Sequence, residues 1–212
     1  MQGAAYKTVL CQNSGAFVVN KSRFIGSAAP VSSEEEALAF LRKVRALNKD
    51  ASHNCYAYII GQNAGIQRYS DDGEPSGTAG LPIIELIKAR AVVDVCVVVT
   101  RYFGGVLLGA GGLIRAYAQG AKTALDAAKV ITMHRSRRYL FECDYAFAGR
   151  LDHWLRDQPV RLNEKAFGAA VSYDVHIKAM DAPAFCAGLG ELSAGRCEAL
   201  LVDEGYQGWE EE

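Results

Sequence analysis

The stretch VCVVVTRYFGGVLLGAGGLIRAY, residues 95–117, decides the fold of the first half of the chain. It opens on a nearly unbroken run of apolar, β-branched residues, which predicts a strand over 94–102 at the centre of a sheet. Five glycines follow, and the helical spacing of apolar residues beyond them predicts a helix over 112–128. Backbone N–H groups at a helix start point outward without partners, so this corner is a candidate ligand-binding site.

The residues before this stretch complete a mixed α and β domain. The predicted elements are strands over 17–19 and 23–25, a helix after Ser33, strands over 54–60 and 66–69, and a helix over 82–90. The acids at 34–36 lie where the helix dipole favours negative charge, so they mark a helix start and not a site.

The pattern restarts after residue 131 with a second set of elements. They are a strand over 135–145, a helix over 147–157, strands over 160–167 and 170–177, a helix over 182–192 and a strand over 198–202. This β-α-β-β-α-β order predicts a ferredoxin-like domain. We therefore predict domains over 1–130 and 135–205, followed by an acidic, solvated tail.

Composition excludes several classes of protein. Half of the 212 residues are apolar, yet no apolar run is long enough to span a membrane, and the first ten residues lack the apolar core of a signal peptide. The six cysteines form no C-x-x-C pair, which favours reduced, buried thiols. The sequence predicts a soluble, cytoplasmic protein without a membrane partner.

The net charge of -1 hides an asymmetry between the two halves. Residues 1–130 carry 14 basic and 10 acidic residues, a balance of +4, whereas residues 131–212 carry 9 and 14, a balance of -5. A balance of +4 permits a polyanionic partner without requiring one.

The segment SDDGEPSGTAG, residues 70–80 and hereafter the acidic loop, has the most unusual composition in the chain. Three like charges repel one another unless a cation faces them. One interpretation is an elaborate helix entry, in which hydroxyls cap the next helix; a second is a salt-bridge network with arginines of the other loop; a third is a Mg²⁺ site. The candidate residues of the two loops are Asp71, Asp72, Glu74, Ser76, Thr78, Arg101, Tyr102, Gly104, Gly105 and Arg115.

Regular catalytic motifs are absent. The glycines of 104–112 satisfy neither G-x-x-x-x-G-K-[ST] nor G-x-G-x-x-G. His53 and Cys55 place a base near a thiol, but we expect strand alternation to keep them apart. We therefore name no catalytic residue and predict no metal and no cofactor.

Cations and aromatic rings of the first domain form a candidate RNA surface, since such a mixture suits phosphates and unstacked bases. Tyr56 and Phe103 are instead expected in the core. The set is Lys21, Arg23, Arg68, Arg101, Arg115, Tyr56, Tyr69, Tyr102 and Phe103.

Four segments, KSRFIG (21–26), HNCYAY (53–58), SDDGEPSGTAGLPI (70–83) and VVVTRYFGGVLLGAGGLIRAY (97–117), closely resemble the IMPACT/YigZ family. The resemblance covers essentially the whole chain. It implies an N-terminal ribosomal-protein domain-2-like domain and a C-terminal domain similar to the last domain of elongation factor G. Eukaryotic members of the family regulate translation through a stress-responsive kinase, but they carry a further N-terminal domain.

Two functions of different classes follow. The first is a non-catalytic, translation-linked binding protein whose partner is RNA, the ribosome or a ribosome-associated protein. The second is a phosphate- or nucleotide-handling enzyme, because the ribosomal-protein-like fold is shared with small-molecule kinases.

Overall fold

A computed structural model describes residues 5–209 of the chain. Within it the chain forms two compact units, Tyr6–Thr132 and Met133–Trp209. The predicted domain limits, 1–130 and 135–205, remain a prediction about independent folding, because compactness alone does not show that either part folds by itself.

The first unit contains six strands and three helices. They are β1 (Tyr6–Val9), β2 (Asn13–Val19), β3 (Ser22–Pro30), α1 (Glu34–Leu47), β4 (His53–Ile60), β5 (Ile66–Ser70), α2 (Gly80–Ala89), β6 (Val95–Tyr102) and α3 (Gly109–Ala128). Five of the strands form an antiparallel sheet in the order β2-β3-β6-β4-β5. The valine-rich strand β6 is therefore central, as its sequence predicts.

Strand β6 supplies both faces of this sheet because its side chains alternate. Val95, Val97 and Val99 pack with α2 and α3, whereas Cys96 and Val98 pack with α1. Arg101 continues the first of these rows. In the register of the sheet it lies between Phe24 of β3 and His53 of β4.

The second unit contains four strands and two helices. They are β7 (Val130–Cys143), α4 (Tyr145–Leu155), β8 (Val160–Phe167), β9 (Val171–Lys178), α5 (Ala182–Ser193) and β10 (Leu200–Trp209). Three of these strands pair in the order β7-β9-β8, and β10 also pairs with β7. The order β-α-β-β-α-β is the predicted one, and inward-facing residues of β7 and β9 pack with α4 and α5 around one core.

Several element predictions are wrong: β2 and β3 are longer than the predicted 17–19 and 23–25, and α3 begins at Gly109 and not at residue 112. Strand β1 was not predicted, and β7 begins at Val130 and not at residue 135, since the left-handed backbone of Lys129 ends α3 and leads directly into it. Strand β10 extends to Trp209, although a solvated tail was predicted. The indole N–H of Trp209 donates to Ser136 Oγ at 2.9 Å, and a Lys178 ammonium lies 5.2 Å from the ring. The last three residues of the predicted tail, 210–212, lie outside the described residues.

Two further expectations concern cysteines and membranes. All six cysteines are free, but Cys11 is exposed and Cys186 is only half-buried, so the expectation of buried thiols is wrong for these two. No helix in residues 5–209 has the length and apolar character that a membrane crossing requires.

Candidate functional site

Asp71 is the capping group of helix α2. Its Oδ1 accepts from the backbone N–H groups of Ala79 and Gly80 at 3.0 and 2.8 Å, and its Oδ2 accepts from Gly77 at 2.9 Å. Burial raises the pKa of the Asp71 carboxyl, but these three hydrogen bonds outweigh it, so the pKa lies below its ordinary value. The first acid of the loop is thus engaged by the helix start itself.

The hydroxyls that were expected to cap α2 do not cap it. Thr78 Oγ1 donates to the carbonyl oxygen of Pro75 at 2.7 Å and is buried, whereas Ser76 is exposed. Asp71, eight residues before Ala79, reaches the helix start because the loop turns back on itself. The helix-entry interpretation was therefore correct in outline and wrong about the capping residue.

Asp72 ties the acidic loop to two other elements. Its backbone is left-handed, with φ 47°. Oδ1 lies 2.6 Å from a guanidinium nitrogen of Arg45 on α1, and Oδ2 accepts from the backbone N–H of Asn54 at 2.7 Å. The Asp72 carbonyl lies 2.8 Å from Nδ1 of His53, which must donate because a carbonyl oxygen only accepts.

Glu74 is buried and ion-paired. Its Oε1 accepts from Arg101 Nη1 at 2.7 Å and from the Tyr117 hydroxyl at 2.7 Å, and His53 Nε2 lies 4.0 Å away. The residue is 8% exposed and Arg101 is 5% exposed. The two loops meet here, which confirms the predicted contact between an acid of the first loop and an arginine of the second.

Arg101 is consequently a structural side chain and not a surface cation. Its guanidinium lies 5.7 Å from the Phe24 ring and 5.4 Å from the Phe103 ring, and Nη2 donates weakly to Ser22 Oγ at 3.4 Å. Its buried Nε has no hydrogen-bond partner among residues 5–209. The expectation that Arg101 contributes to an RNA surface is wrong, because the side chain is almost completely buried.

The glycine-rich loop is held against the turn between β2 and β3. A Cβ on Gly104 would lie 2.1 Å from the carbonyl carbon of Lys21, so only glycine fits there. Gly104 N–H donates to Ser22 Oγ, and Tyr102 Oη donates to Asn48 Oδ1 at 2.8 Å. Gly105 has φ +81°, in the region that favours glycine.

The candidate RNA set does not share one face. Arg101 and Tyr102 are consecutive in β6, so their side chains lie on opposite sides of the sheet. Tyr56 is half-buried beside the α1 core, as expected, but Phe103 is 49% exposed although a core position was predicted. Strand alternation therefore divides a set that the sequence presents as one cluster.

His53 and Cys55 lie on the same face of β4, contrary to expectation, because they are two residues apart and not adjacent. Both reach the acidic loop, where Cys55 Sγ donates to the Asp71 carbonyl at 2.9 Å. Burial raises the pKa of the Cys55 thiol to about 12, so it remains protonated and is no nucleophile at neutral pH. Across residues 5–209, no group of three or more His, Cys, Asp or Glu side chains is arranged to hold a metal ion.

The segment over 103–115, hereafter the exposed tip, contains Gly104, Gly105 and Arg115 of the predicted binding surface, but its aliphatic side chains were not predicted as part of that surface. Leu107 is 84% exposed, and three further large apolar side chains of this segment are also exposed: Phe103, Val106 and Ile114. Arg115 is exposed, and no ion pair or hydrogen bond holds it within the described residues. The sequence signal that could have revealed this surface is the run Val-Leu-Leu between two glycines, because a solvated loop normally contains polar residues.

An open cavity of about 290 Å³ adjoins the exposed tip. Its apolar lining consists of Val19, Leu108 and Ala116. Asn20, Gln119 and Arg115 supply the polar lining, and Gly112 completes the wall. Arg115 thus faces this cavity and makes no contact with the acidic loop.

A second cavity, of about 570 Å³, lies at the C-terminal ends of α2 and α3. Its cations Arg90 and Lys129 follow the last residues of α2 and α3, where positive charge is favoured by the helix dipole. Arg90 is also paired with Asp126 at 2.6 Å. The positions of Arg90 and Lys129 are therefore explained by the helix ends and by the ion pair, without a ligand.

Both halves of the chain match known domain families. Residues 20–125 match the family described as the Impact N-terminal domain, and residues 141–196 match a domain of unknown function (DUF1949). A crystal structure of a hypothetical protein has a TM-score of 0.59 and 31% identity, covering 96% of this chain and 98% of that chain.

Curated relatives agree with these matches. The IMPACT family member YvyE of Bacillus subtilis is 40% identical over 194 residues, which cover 92% of this chain and 89% of the relative. The IMPACT family member YigZ of Escherichia coli is 34% identical over 188 residues, covering 88% and 92%. Protein IMPACT of Xenopus laevis is 40% identical over a shorter match, 42% of this chain and 30% of that protein.

The fold defines an α+β protein in which an Impact N-terminal domain precedes a second α+β domain. The chain belongs to the IMPACT family.

Proposed function

We propose that this chain is a non-catalytic, cytoplasmic binding protein that acts on translation, with RNA, the ribosome or a ribosome-associated protein as its partner. The family membership supports a regulatory role, because the resemblance to eukaryotic members implies regulators of translation. The kinase pathway of those members is not part of the proposal, since only 30% of the Xenopus relative is matched.

The observation that carries the binding role is the contrast between engaged acids and an exposed apolar tip. Asp71, Asp72 and Glu74 each have internal partners, which gives each of them a structural role. Leu107, in contrast, lies exposed on the loop before α3, and Arg115 lies exposed on the second turn of α3. Buried contacts at Gly104 hold this loop in place. Rigid support and an exposed apolar surface are typical of an interaction site.

The test is co-sedimentation of the full chain with ribosomes on sucrose gradients. We expect the wild-type protein to move with ribosomal particles, and Arg115→Ala to weaken this association. Arg42→Ala is the matched control, because Arg42 is an exposed arginine of α1 that forms no ion pair or hydrogen bond with a side chain of residues 5–209. Protein that stays at the top of the gradient under all salt conditions would contradict the proposal.

Arg101→Ala is not a suitable probe of binding, although the sequence suggested it. Removing this side chain leaves Glu74 as an unpaired buried charge, so any loss of binding would be mixed with loss of folding. The RNA form of the proposal is tested with single-stranded RNA, whose binding should weaken with salt and with Arg115→Ala.

A second candidate function is a phosphate- or nucleotide-handling enzyme. One observation favours it: the 290 Å³ cavity is lined by Arg115 and by Gly112 of the first turn of α3. Helix starts and arginines both bind phosphate. Calorimetry with ATP and GTP in the presence of Mg²⁺ decides between the two functions, since a stoichiometric heat of binding supports the enzyme and contradicts a protein that binds only macromolecules.

A further inference from the structure

We propose that the exposed tip and its adjoining cavity form a docking surface for a protein segment that presents a large apolar side chain beside carboxylates. The inference deepens the proposed function, because it assigns the partner's chemistry to one surface. It rests on the exposure of the apolar side chains, on the lining of the cavity and on the charge of the surrounding chain.

The exposed apolar side chains lie close together in one segment, unlike the single exposed leucines of an ordinary protein surface. A single exposed Leu needs no explanation. Here Val106, Leu107 and Ile114 are exposed within nine consecutive residues, together with Phe103 just before them. Concentrations of this kind mark interaction sites.

The cavity has the lining of an anchor pocket. Val19, Leu108 and Ala116 offer apolar contact, and Arg115 stands beside them with its charge unpaired among the described residues. Interface energy concentrates where an apolar or aromatic side chain fills such a pocket and an arginine meets a partner. Its volume of about 290 Å³ lies just below the usual range for small-molecule sites.

The charge of the contributing segments selects an acidic partner. No Asp or Glu occurs in residues 1–33 or between Asp94 and Asp126, the two stretches that supply the cavity and the exposed tip. Lys21, Arg23 and Arg115 lie exposed in these stretches. A surface whose segments contain basic residues and no acidic residues attracts carboxylates and repels basic segments.

The same positive charge would also attract RNA. The kind of apolar side chain at the exposed tip decides between RNA and an acidic protein segment as the partner. Recognition of single-stranded RNA relies on stacking against aromatic rings. The tip exposes one aromatic ring, Phe103, against three aliphatic side chains. Aliphatic side chains contribute area without base stacking, so a protein segment fits the surface better.

The first experiment measures binding of the full chain to a labelled synthetic amphipathic helix with leucines at i, i+3, i+4 and i+7 and glutamates elsewhere. We expect Leu107→Ser to weaken binding several-fold and Arg115→Glu to weaken it about tenfold or more, since ion pairs set specificity at such surfaces. The matched controls are Leu47→Ser and Arg42→Glu on α1, both exposed positions, which should change affinity less than twofold.

Three outcomes overturn the inference. The first is that the acidic peptide fails to bind, or binds no better than a lysine version. The second is that all variants bind equally. The third is that a single-stranded RNA binds through Arg115 and is indifferent to Leu107→Ser. A fourth is that the protein alone self-associates in a sedimentation experiment and that Leu107→Ser abolishes this self-association. The docking surface would then bind a second copy of this chain.

The same variants separate this inference from the proposed function. Co-sedimentation with ribosomes that persists in both Leu107→Ser and Arg115→Glu leaves the function standing and removes the docking surface. Peptide binding that depends on the tip, in a protein that never moves with ribosomes, leaves the surface standing and removes the translational role.

Discussion

The acidic loop and the exposed tip are both rich in glycine and lie between a strand and a helix, yet the structure uses them in opposite ways. In the acidic loop, each carboxylate meets an internal partner: a helix start, an α1 arginine or a buried arginine. In the exposed tip, aliphatic side chains and Arg115 face solvent. In this protein, the loop with the most charged residues is the one with the most internal contacts, whereas exposed apolar residues mark the surface that is available for binding.

The largest expected effect comes from breaking the ion pair between the two loops. Glu74→Ala or Arg101→Ala should each lower the free energy of unfolding by about 3–5 kcal/mol, because the remaining charge is buried without its partner. The double variant Arg101→Leu with Glu74→Leu should cost less than either single change. Urea unfolding followed by circular dichroism measures all three, and single variants as stable as the wild type would refute the assigned role.

The next effect concerns the cap of α2. Asp71→Ala should lower the free energy of unfolding by about 2 kcal/mol, since three backbone N–H groups lose their acceptor. Asp50→Ala is the control, because Asp50 is an exposed acid of the loop after α1. A loss as small as that of the control would show that the helix start finds water or another acceptor.

The cap also predicts a pH dependence. The folded-state pKa of Asp71 lies below its ordinary value of 3.8, so the contribution is complete above the unfolded pKa and is lost as pH falls through the folded one. The stability difference between wild type and Asp71→Ala should therefore shrink below about pH 4. A difference that stays constant down to strongly acidic pH would contradict this account.

A smaller effect sharpens the comparison within the glycine-rich loop. Gly104→Ala should cost about 2 kcal/mol, because its Cβ would overlap the backbone of Lys21 and Ser22. Gly111→Ala in the first turn of α3 meets only the end of the Arg115 side chain, at 4.0 Å, and should raise stability by about 0.5–1 kcal/mol. Equal effects of the two changes in thermal unfolding would mean that the loop is not pinned at Gly104.

The smallest effect belongs to the exposed tip itself. Leu107→Ser should change the free energy of unfolding by no more than about 0.5 kcal/mol, since the side chain is already in water. Leu113→Ser, at a buried position six residues on, is the destabilising control. A clear loss of stability in Leu107→Ser would show that this leucine packs against the protein and is not held for a partner.

The sequence by itself determined most of the elements and their order, although it did not indicate β1. Local signals sufficed for this: the apolar, β-branched run of β6, helical spacing in α1 and α3, and the turn residues Asn20 and Lys21. One of its three interpretations of the acidic loop was a salt bridge to an arginine, because three clustered carboxylates require a counter-charge. These inferences hold because each depends on neighbours along the chain.

Only the tertiary structure decided which groups remain available. Whether Arg101 or Arg115 meets Glu74, and whether Asp71 or a hydroxyl caps α2, depends on contacts between residues that are distant in sequence. The exposure of Phe103 and Leu107 likewise depends on the space that packing leaves. Burial and hydrogen bonding are properties of the assembled sheet and helices, and for that reason the binding surface could not be told from the structural network in the sequence alone.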